Sequence, residues 1–448
     1  MVEISARPMQ AQGQAPDTTQ RKSRSLRSLL LPVNNGPQEI LALDGLRAVA
    51  ALSVVFFHTF YVVYSVSGQT ILFGYNTTYL WQYGQTGVHL FFILSGFLLF
   101  TPYAKAMLNG RALPSTKRFF QRRALRILPA YWVCLVILVV VQSLAGTASY
   151  LSSNGLLNIA THIVLFQDDF PSFNRLIEGP FWTLAVEAQF YLVLPIFAAA
   201  IARFVGRTQS RRRLIVGVLG VIAFALALRM VDATAEGHAL ATRGTMATIL
   251  SLFVRVTMGT QGKYLDVFAL GMLCSVLYLI VNEESRRVRR AIRGVGVLLF
   301  LAAFPIAYLC ANIFLTLNIE TPPYYSLVHA RDLAVICGPL LVGSGYAALV
   351  LGTLWAGGPI RRFFEFWPLR FVGLISYSLY LWHLPVITAF HPLIAMLPAS
   401  YQVLGAIAVA LCVALPVAYL SYQFVERPFL QRRHRMSAKT AVAVATPA

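Results

Sequence analysis

Runs of about twenty apolar residues recur ten times along this 448-residue chain, at about 41–66, 86–107, 127–146, 181–204, 214–231, 264–282, 294–316, 333–355, 371–392 and 402–424. A helix rising 1.5 Å per residue needs about 20 such residues to cross the hydrocarbon core of a bilayer. Only 12% of the residues are charged, against about 25% in ordinary soluble domains. The pattern predicts an all-α fold, a polytopic transmembrane helical bundle of about ten spans.

The net charge of +20 is distributed loop by loop. Lys22, Arg24 and Arg27 precede the first run, and Lys105, Arg111, Lys117, Arg118, Arg122 and Arg123 follow the second. Arg211 to Arg213, Arg286 to Arg293, Arg361 to Arg370 and Arg432 to Arg435 mark every second connection thereafter. Residues 67–85 and 393–401 carry no charge, and 147–180 holds mainly Asp168, Asp169, Arg175 and Glu178. The positive-inside rule turns this alternation into a plasma-membrane protein with both termini cytoplasmic. Basic loops of this kind meet anionic lipid headgroups, so no nucleic-acid partner is expected. Residues 232–263 form a mixed loop long enough to hold a re-entrant or interfacial helix.

Residues 1–36 are rich in Gln, Ser, Thr, Pro and Arg without a continuous apolar core, which predicts a disordered cytoplasmic arm rather than a cleaved signal peptide. Within it, LRSLLLPV is apolar enough to rest on the membrane surface. The membrane domain spans 37–435, and 436–448 reads as a disordered tail. Cys134, Cys274, Cys310, Cys337 and Cys412 are scattered singly in apolar runs, with neither disulfide nor metal-ligand spacing, and suit core packing. No nucleotide loop, dinucleotide fingerprint or zinc-protease motif is present.

Function is therefore sought among polar residues at membrane depth, which are costly and usually face a polar interior. Arg47 and His58 stand eleven residues apart in the first run, so they share one helix face and lie roughly 16 Å apart along it. Counting depth from the basic ends puts Arg47 near the cytoplasmic face and His58 in the outer half. The same count places His89, Glu187 and His383 in or near the layer of His58.

These residues sit in strings that resemble acyltransferase family 3, the integral-membrane acyltransferases of glycans and other hydroxyl-bearing acceptors. The matching strings are LDGLRAVAALSVVFFH, GVHLFFILSGFLL, RRALRILPAYW, FWTLAVEAQFYLVLP, ISYSLYLWHLP and FVERPF, in family order over about residues 40–430. His89 stands where the family commonly has Asp, and Ala188 where a second Glu often follows the first. The resemblance implies an acyl-CoA co-substrate, ordinarily acetyl-CoA, with no permanently bound cofactor and no metal. It also implies a glycan or other hydroxyl acceptor, usually on the outer side. Arg123 and Arg126 are donor ligands by the same resemblance, while Tyr377, Tyr380, Trp382 and His383 are candidates for lining the site or stabilising an oxyanion.

The residues fit such chemistry on their own terms. CoA is a polyanion with a flexible arm about as long as the Arg47–His58 separation, and guanidinium binds phosphate well. A hydroxyl attacking a thioester needs a general base, for which imidazole is the commonest choice, so His58 takes that role. Glu187 is its expected partner, holding one tautomer. Each assignment has a plainer rival. His58 could be packing, Arg47 could snorkel to headgroups, and Arg122, Arg123 and Arg126 are topology charges first. His89 could cap its helix, and His162, His329 and His391 are expected to be solvated. Glu426 and Arg427 read as a structural pair. Two other functions stay open: acylation of a small cytoplasmic metabolite such as a macrolide, and transport of glycans or organic acids along a path lined by Arg47, His58 and Glu187.

Overall fold

The computed structural model describes residues 40–77, 83–148, 151, 155–169, 177–241, 264–318 and 328–432. The predicted arm 1–36, the tail 436–448 and most of the mixed loop 232–263 fall outside them. Among the described residues the fold is helical apart from one short hairpin, β1 (Ile71–Leu72) with β2 (Tyr75–Asn76), turned at Phe73 and Gly74 in positive φ.

The helices are α1 (Ala42–Ser67), α2 (Gly87–Leu108), α3 (Thr116–Leu144), α4 (Gly155–Ile163), α5 (Phe181–Val205), α6 (Arg211–Ala241) and α7 (Leu265–Glu283). They continue with α8 (Arg286–Asn318), α9 (Val328–Ala356), α10 (Gly358–Phe364), α11 (Trp367–Leu374), α12 (Ser376–Ala389) and α13 (His391–Ala395). The last, α14 (Ala399–Arg432), contains two π-helical turns at Ala410–Ala414 and Tyr422–Glu426. Among the described residues nine helices are long and apolar enough to cross a membrane. The ninth expected run, 371–392, corresponds to α11 and α12, which meet at a bend of 73°.

Small residues decide how closely the helices approach. On α2 and α7, Gly96 lies against the Phe268 carbonyl and Gly271 against the Ile93 carbonyl, so a side chain at either would collide with backbone. Without a hydrophobic driving force in lipid, this kind of close backbone packing is what holds membrane helices together. Phe268 fills the space beside the contact, stacking on Phe190 of α5 at 4.0 Å and on Phe92 of α2 at 4.6 Å. Gly373 of α11 meets the Asp44 carbonyl in the same way, which seats the broken span against the first turn of α1.

A buried ion pair that the charge pattern did not single out ties three helices together. Arg229 of α6 reaches Asp266 of α7 and the Ile336 carbonyl of α9, with the guanidinium and carboxylate almost fully buried. In an apolar bundle such groups must pair with each other, and here they fasten α6 to the core.

The connection between α3 and α5 folds inward. Tyr131 donates to the His162 carbonyl (2.8 Å) and Trp132 to the Ile163 carbonyl (3.0 Å). Gln167 donates to the Phe181 carbonyl (3.0 Å) and Gln142 to the Ile177 carbonyl (2.9 Å). His162, expected in solvent, is fully buried as a result, and His391 is half-buried at the start of α13. His329 has no described side chain. The cysteines are unpaired, and Cys134 and Cys274 are core residues, but Cys412 lies on the exposed face. Glu426 accepts from Ser378 at 3.2 Å, and Arg427 donates to Gln423, one turn earlier on α14, at 2.9 Å.

Candidate functional site

The basic end of the bundle opens into a cavity of about 750 Å³, its open mouth included. Arg47 of α1 and Arg123 and Arg126 of α3 line it, while Arg122 is exposed. Arg47 stays near this end because Asp44, one turn earlier, holds it at 3.5 Å. Asp44 is also 3.9 Å from Arg370, which α11 delivers through the Gly373 contact. The carboxylate sits in the first turn of α1, where the helix dipole favours it. One acid therefore organises two arginines at the cavity mouth, and Arg370 was not among the residues picked out from sequence.

Deeper in, Glu187 of α5 accepts from Ser95 of α2 and from Tyr191, both at 2.6 Å. The Arg123 guanidinium lies 5.9 Å from the centre of the Tyr191 ring. Tyr377 and Tyr380 of α12 complete the wall. The Tyr377 hydroxyl is committed to the Ile127 carbonyl at 2.8 Å. That of Tyr380 lies 2.6 Å from Thr183 Oγ1 and 3.1 Å from the Pro180 carbonyl, at the start of α5.

Beyond Tyr380 stands a pair of histidines. The ring of Tyr380 is 5.7 Å from that of His383, and His383 is 4.9 Å from His58, centre to centre. Their hydrogen bonds set the protons. His383 Nδ1 faces the carbonyls of Leu379 (3.1 Å) and Tyr380 (2.9 Å), so it is the protonated nitrogen and Nε2 is an acceptor. His58 Nδ1 faces the Val54 carbonyl at 3.0 Å and His383 Nε2 at 3.1 Å, both acceptors. It must carry the proton, and the ring lone pair is on Nε2.

His58 thus meets His383, while Glu187 is hydrogen-bonded to Ser95 and Tyr191. The bend between α11 and α12 turns His383 onto α1, whereas Glu187 is drawn to the hydroxyls of Ser95 and Tyr191. His89 also stands apart from the cavity lining, edge-on to Tyr264 at 5.3 Å, and Trp382 packs at the periphery of the core. Arg47 and His58 do share one continuous helix, α1, so their axial separation is the roughly 16 Å of three helical turns.

The arrangement offers an arginine-lined mouth, a hydroxyl-lined passage and, outside the cavity lining, an imidazole held in one tautomer. Known proteins share these sequence features. The chain is 25% identical over 404 residues to the peptidoglycan O-acetyltransferase OatA of Listeria monocytogenes, covering 86% of this chain and 55% of that protein. It is 27% identical over 418 residues to a putative O-acetyltransferase of Staphylococcus aureus, with 87% and 57% coverage. A putative peptidoglycan O-acetyltransferase of Bacillus subtilis shows 25% identity over 406 residues, with 87% and 54% coverage. The chain thus spans little more than half the length of these relatives. No solved structure matches. The acyltransferase-domain model of acyltransferase family 3 matches residues 40–423. That range takes in the arginine mouth, the passage and both histidines, and the chain belongs to this family.

Proposed function

We propose that this protein transfers an acetyl group from acetyl-CoA, bound from the cytoplasm, to a hydroxyl of a cell-envelope glycan presented from the outer side, with peptidoglycan as the acceptor its relatives suggest. Positive-inside charge orients the arginine mouth toward the cytoplasm. Arg47, Arg123, Arg126 and Arg370 receive the phosphates of CoA there. The pantetheine arm runs past Ser95, Glu187 and Tyr191 and brings the thioester to Tyr380. No soluble glycan acceptor needs to cross the bilayer on this route.

At the histidine pair, His58 Nε2 takes the proton of the acceptor hydroxyl as its oxygen attacks the thioester carbonyl carbon. The Tyr380 hydroxyl donates to the oxyanion that develops. Collapse of the tetrahedral intermediate breaks the carbon–sulfur bond, and the imidazolium of His58 returns the proton to the departing thiolate. The products are the glycan ester and free CoA. His383 keeps the His58 proton on Nδ1 before attack and stabilises the imidazolium after it.

The His58–His383 contact carries this reading, because permeation alone has no need of a base in a defined tautomer. Purified protein given acetyl-CoA and glycan strands should release CoA and form an acid-stable, alkali-labile ester. No CoA release with any acceptor would favour transport. Release with a cytoplasmic metabolite and not with glycan would move the acceptor to the inner side.

A further inference from the structure

The inward fold between α3 and α5 holds more polar groups than it needs. Tyr131, which binds the His162 carbonyl, lies five residues from Arg126, about 8 Å along α3, and thirteen from the opposite end of the helix, roughly 20 Å. The connection therefore enters the bundle from the end opposite the arginines and reaches mid-depth. Irregular backbone is tolerated at that depth only when it is enclosed by protein or lines a polar cavity.

Four of its side chains are at least nine-tenths buried, with hydrogen-bonding atoms that meet no partner among the described residues. These are Asn158 Oδ1 and Nδ2, His162 Nε2, Gln167 Oε1 and Glu178 Oε1. His162 Nδ1 donates to the Asn158 carbonyl at 2.9 Å, which leaves Nε2 as an acceptor. Three of their segments meet the same stretch of α3, where Tyr131 contacts the His162 carbonyl and Gln167, and Glu178 lies near Cys134. Burial pushes the Glu178 carboxyl up to about 8 and lowers His162, so both are neutral at neutral pH. Residues 155–169 and 177–180 contain no Lys or Arg.

Four acceptor atoms and one amide donor match a ligand rich in hydroxyls, because each hydroxyl both gives and receives a hydrogen bond. The segment also leads to the chemistry, since Pro180 and Thr183 meet the Tyr380 hydroxyl and the ring of Tyr380 lies 5.7 Å from that of His383. We propose that Asn158, His162, Gln167 and Glu178 form the acceptor subsite, which binds the sugar hydroxyls of the glycan as they approach Tyr380 and the histidine pair. This rests on the acyl-transfer reading above and assigns the acceptor side of that site.

The test uses the full chain in lipid nanodiscs and soluble glycan strands released from peptidoglycan by an amidase, titrated without donor. Loss of one ligand hydrogen bond is worth about tenfold in affinity, so Asn158→Ala and His162→Gln should each weaken glycan binding about tenfold and shift acetyl-CoA binding less than about twofold. Asn158→Asp, which keeps the volume, should show the same selective loss if the alanine variant does not fold. Wild-type glycan affinity in these variants, equal loss of glycan and acetyl-CoA binding, or no glycan binding by the wild type would overturn the proposal. Failure of the acyl-transfer reading appears separately, as absence of CoA release by the wild type.

Discussion

His383 Nε2 lies 3.1 Å from His58 Nδ1 and accepts its proton, so one histidine sets the tautomer of the other. A carboxylate holds this position in hydrolase triads. A neutral imidazole does so here without placing a second charge in the membrane, and its own Nδ1 proton is fixed by two carbonyls of α12. Removing the base should cost more than removing its support. His58→Ala should lose the factor of about 10²–10⁴ that general bases supply. His383→Ala should lower kcat by a smaller factor and leave the acetyl-CoA KM nearly unchanged. A wild-type kcat in His383→Ala would reject the orienting role.

The arginine mouth should act on binding. A hydrogen bond to a charged group contributes about 1.5–3 kcal/mol, so Arg47→Ala and Arg370→Ala should each raise the acetyl-CoA KM by roughly 10- to 100-fold with little change in kcat. The KM should also rise with ionic strength, since part of the attraction is screened. Equal CoA affinity in wild type and Arg370→Ala would remove that residue from the donor site.

Tyr380 lines the cavity, and its ring lies 5.7 Å from that of His383. Loss of an oxyanion donor typically costs about 10²–10³ in kcat, so Tyr380→Phe should do the same while sparing donor KM. A loss below about threefold would leave the oxyanion to another group.

Glu178 makes stability depend on pH. Its carboxyl is pushed up to about 8 from 4.5, so the folded state binds the proton more tightly than the unfolded one. The stabilising contribution is complete below about pH 4.5 and is lost as the pH rises through about 8. Glu178→Gln should therefore flatten the decline in melting temperature across that window. Comparing the two proteins isolates Glu178 from His162, whose lowered value acts in the opposite sense around 6.5. Identical pH profiles would contradict the buried, neutral carboxyl.

The Arg229–Asp266 pair should show the asymmetry of buried ions. Breaking it with Arg229→Met or Asp266→Leu alone leaves an uncompensated charge and should cost about 3–5 kcal/mol, whereas the double substitution should recover much of that loss. Thermal unfolding in detergent would measure both. Additive losses in the double variant would show that the pair is not coupled.

Much of this organisation was legible in sequence because it is local. Apolar runs of bilayer length and alternating basic loops specify a helical bundle whatever the helices pack against. Among the described residues, nine helices long enough to cross and one bent pair follow from those runs. The spacing of Arg47 and His58 is likewise a property of one helix, and α1 keeps it. Asp44, one turn before Arg47, was not singled out, and nor was its approach to Arg370.

Partnership between helices was decided only by the tertiary structure. Depth counting put Glu187 and His383 in one layer with His58 but could not say which of them faces it. That choice depends on the 73° bend before α12 and on the glycine contact that seats α11 against α1. The polar connection between α3 and α5 looked like a solvated loop because its charges and amides favour water. Its inward fold depends on carbonyls meeting Tyr131, Trp132 and Gln142 from a helix more than a dozen residues away in the chain. Sequence determined which side chains are available at each depth, through helical rise and hydropathy. Long-range backbone contacts determined which of them meet, and so where the arginine mouth, the histidine pair and the buried polar connection lie.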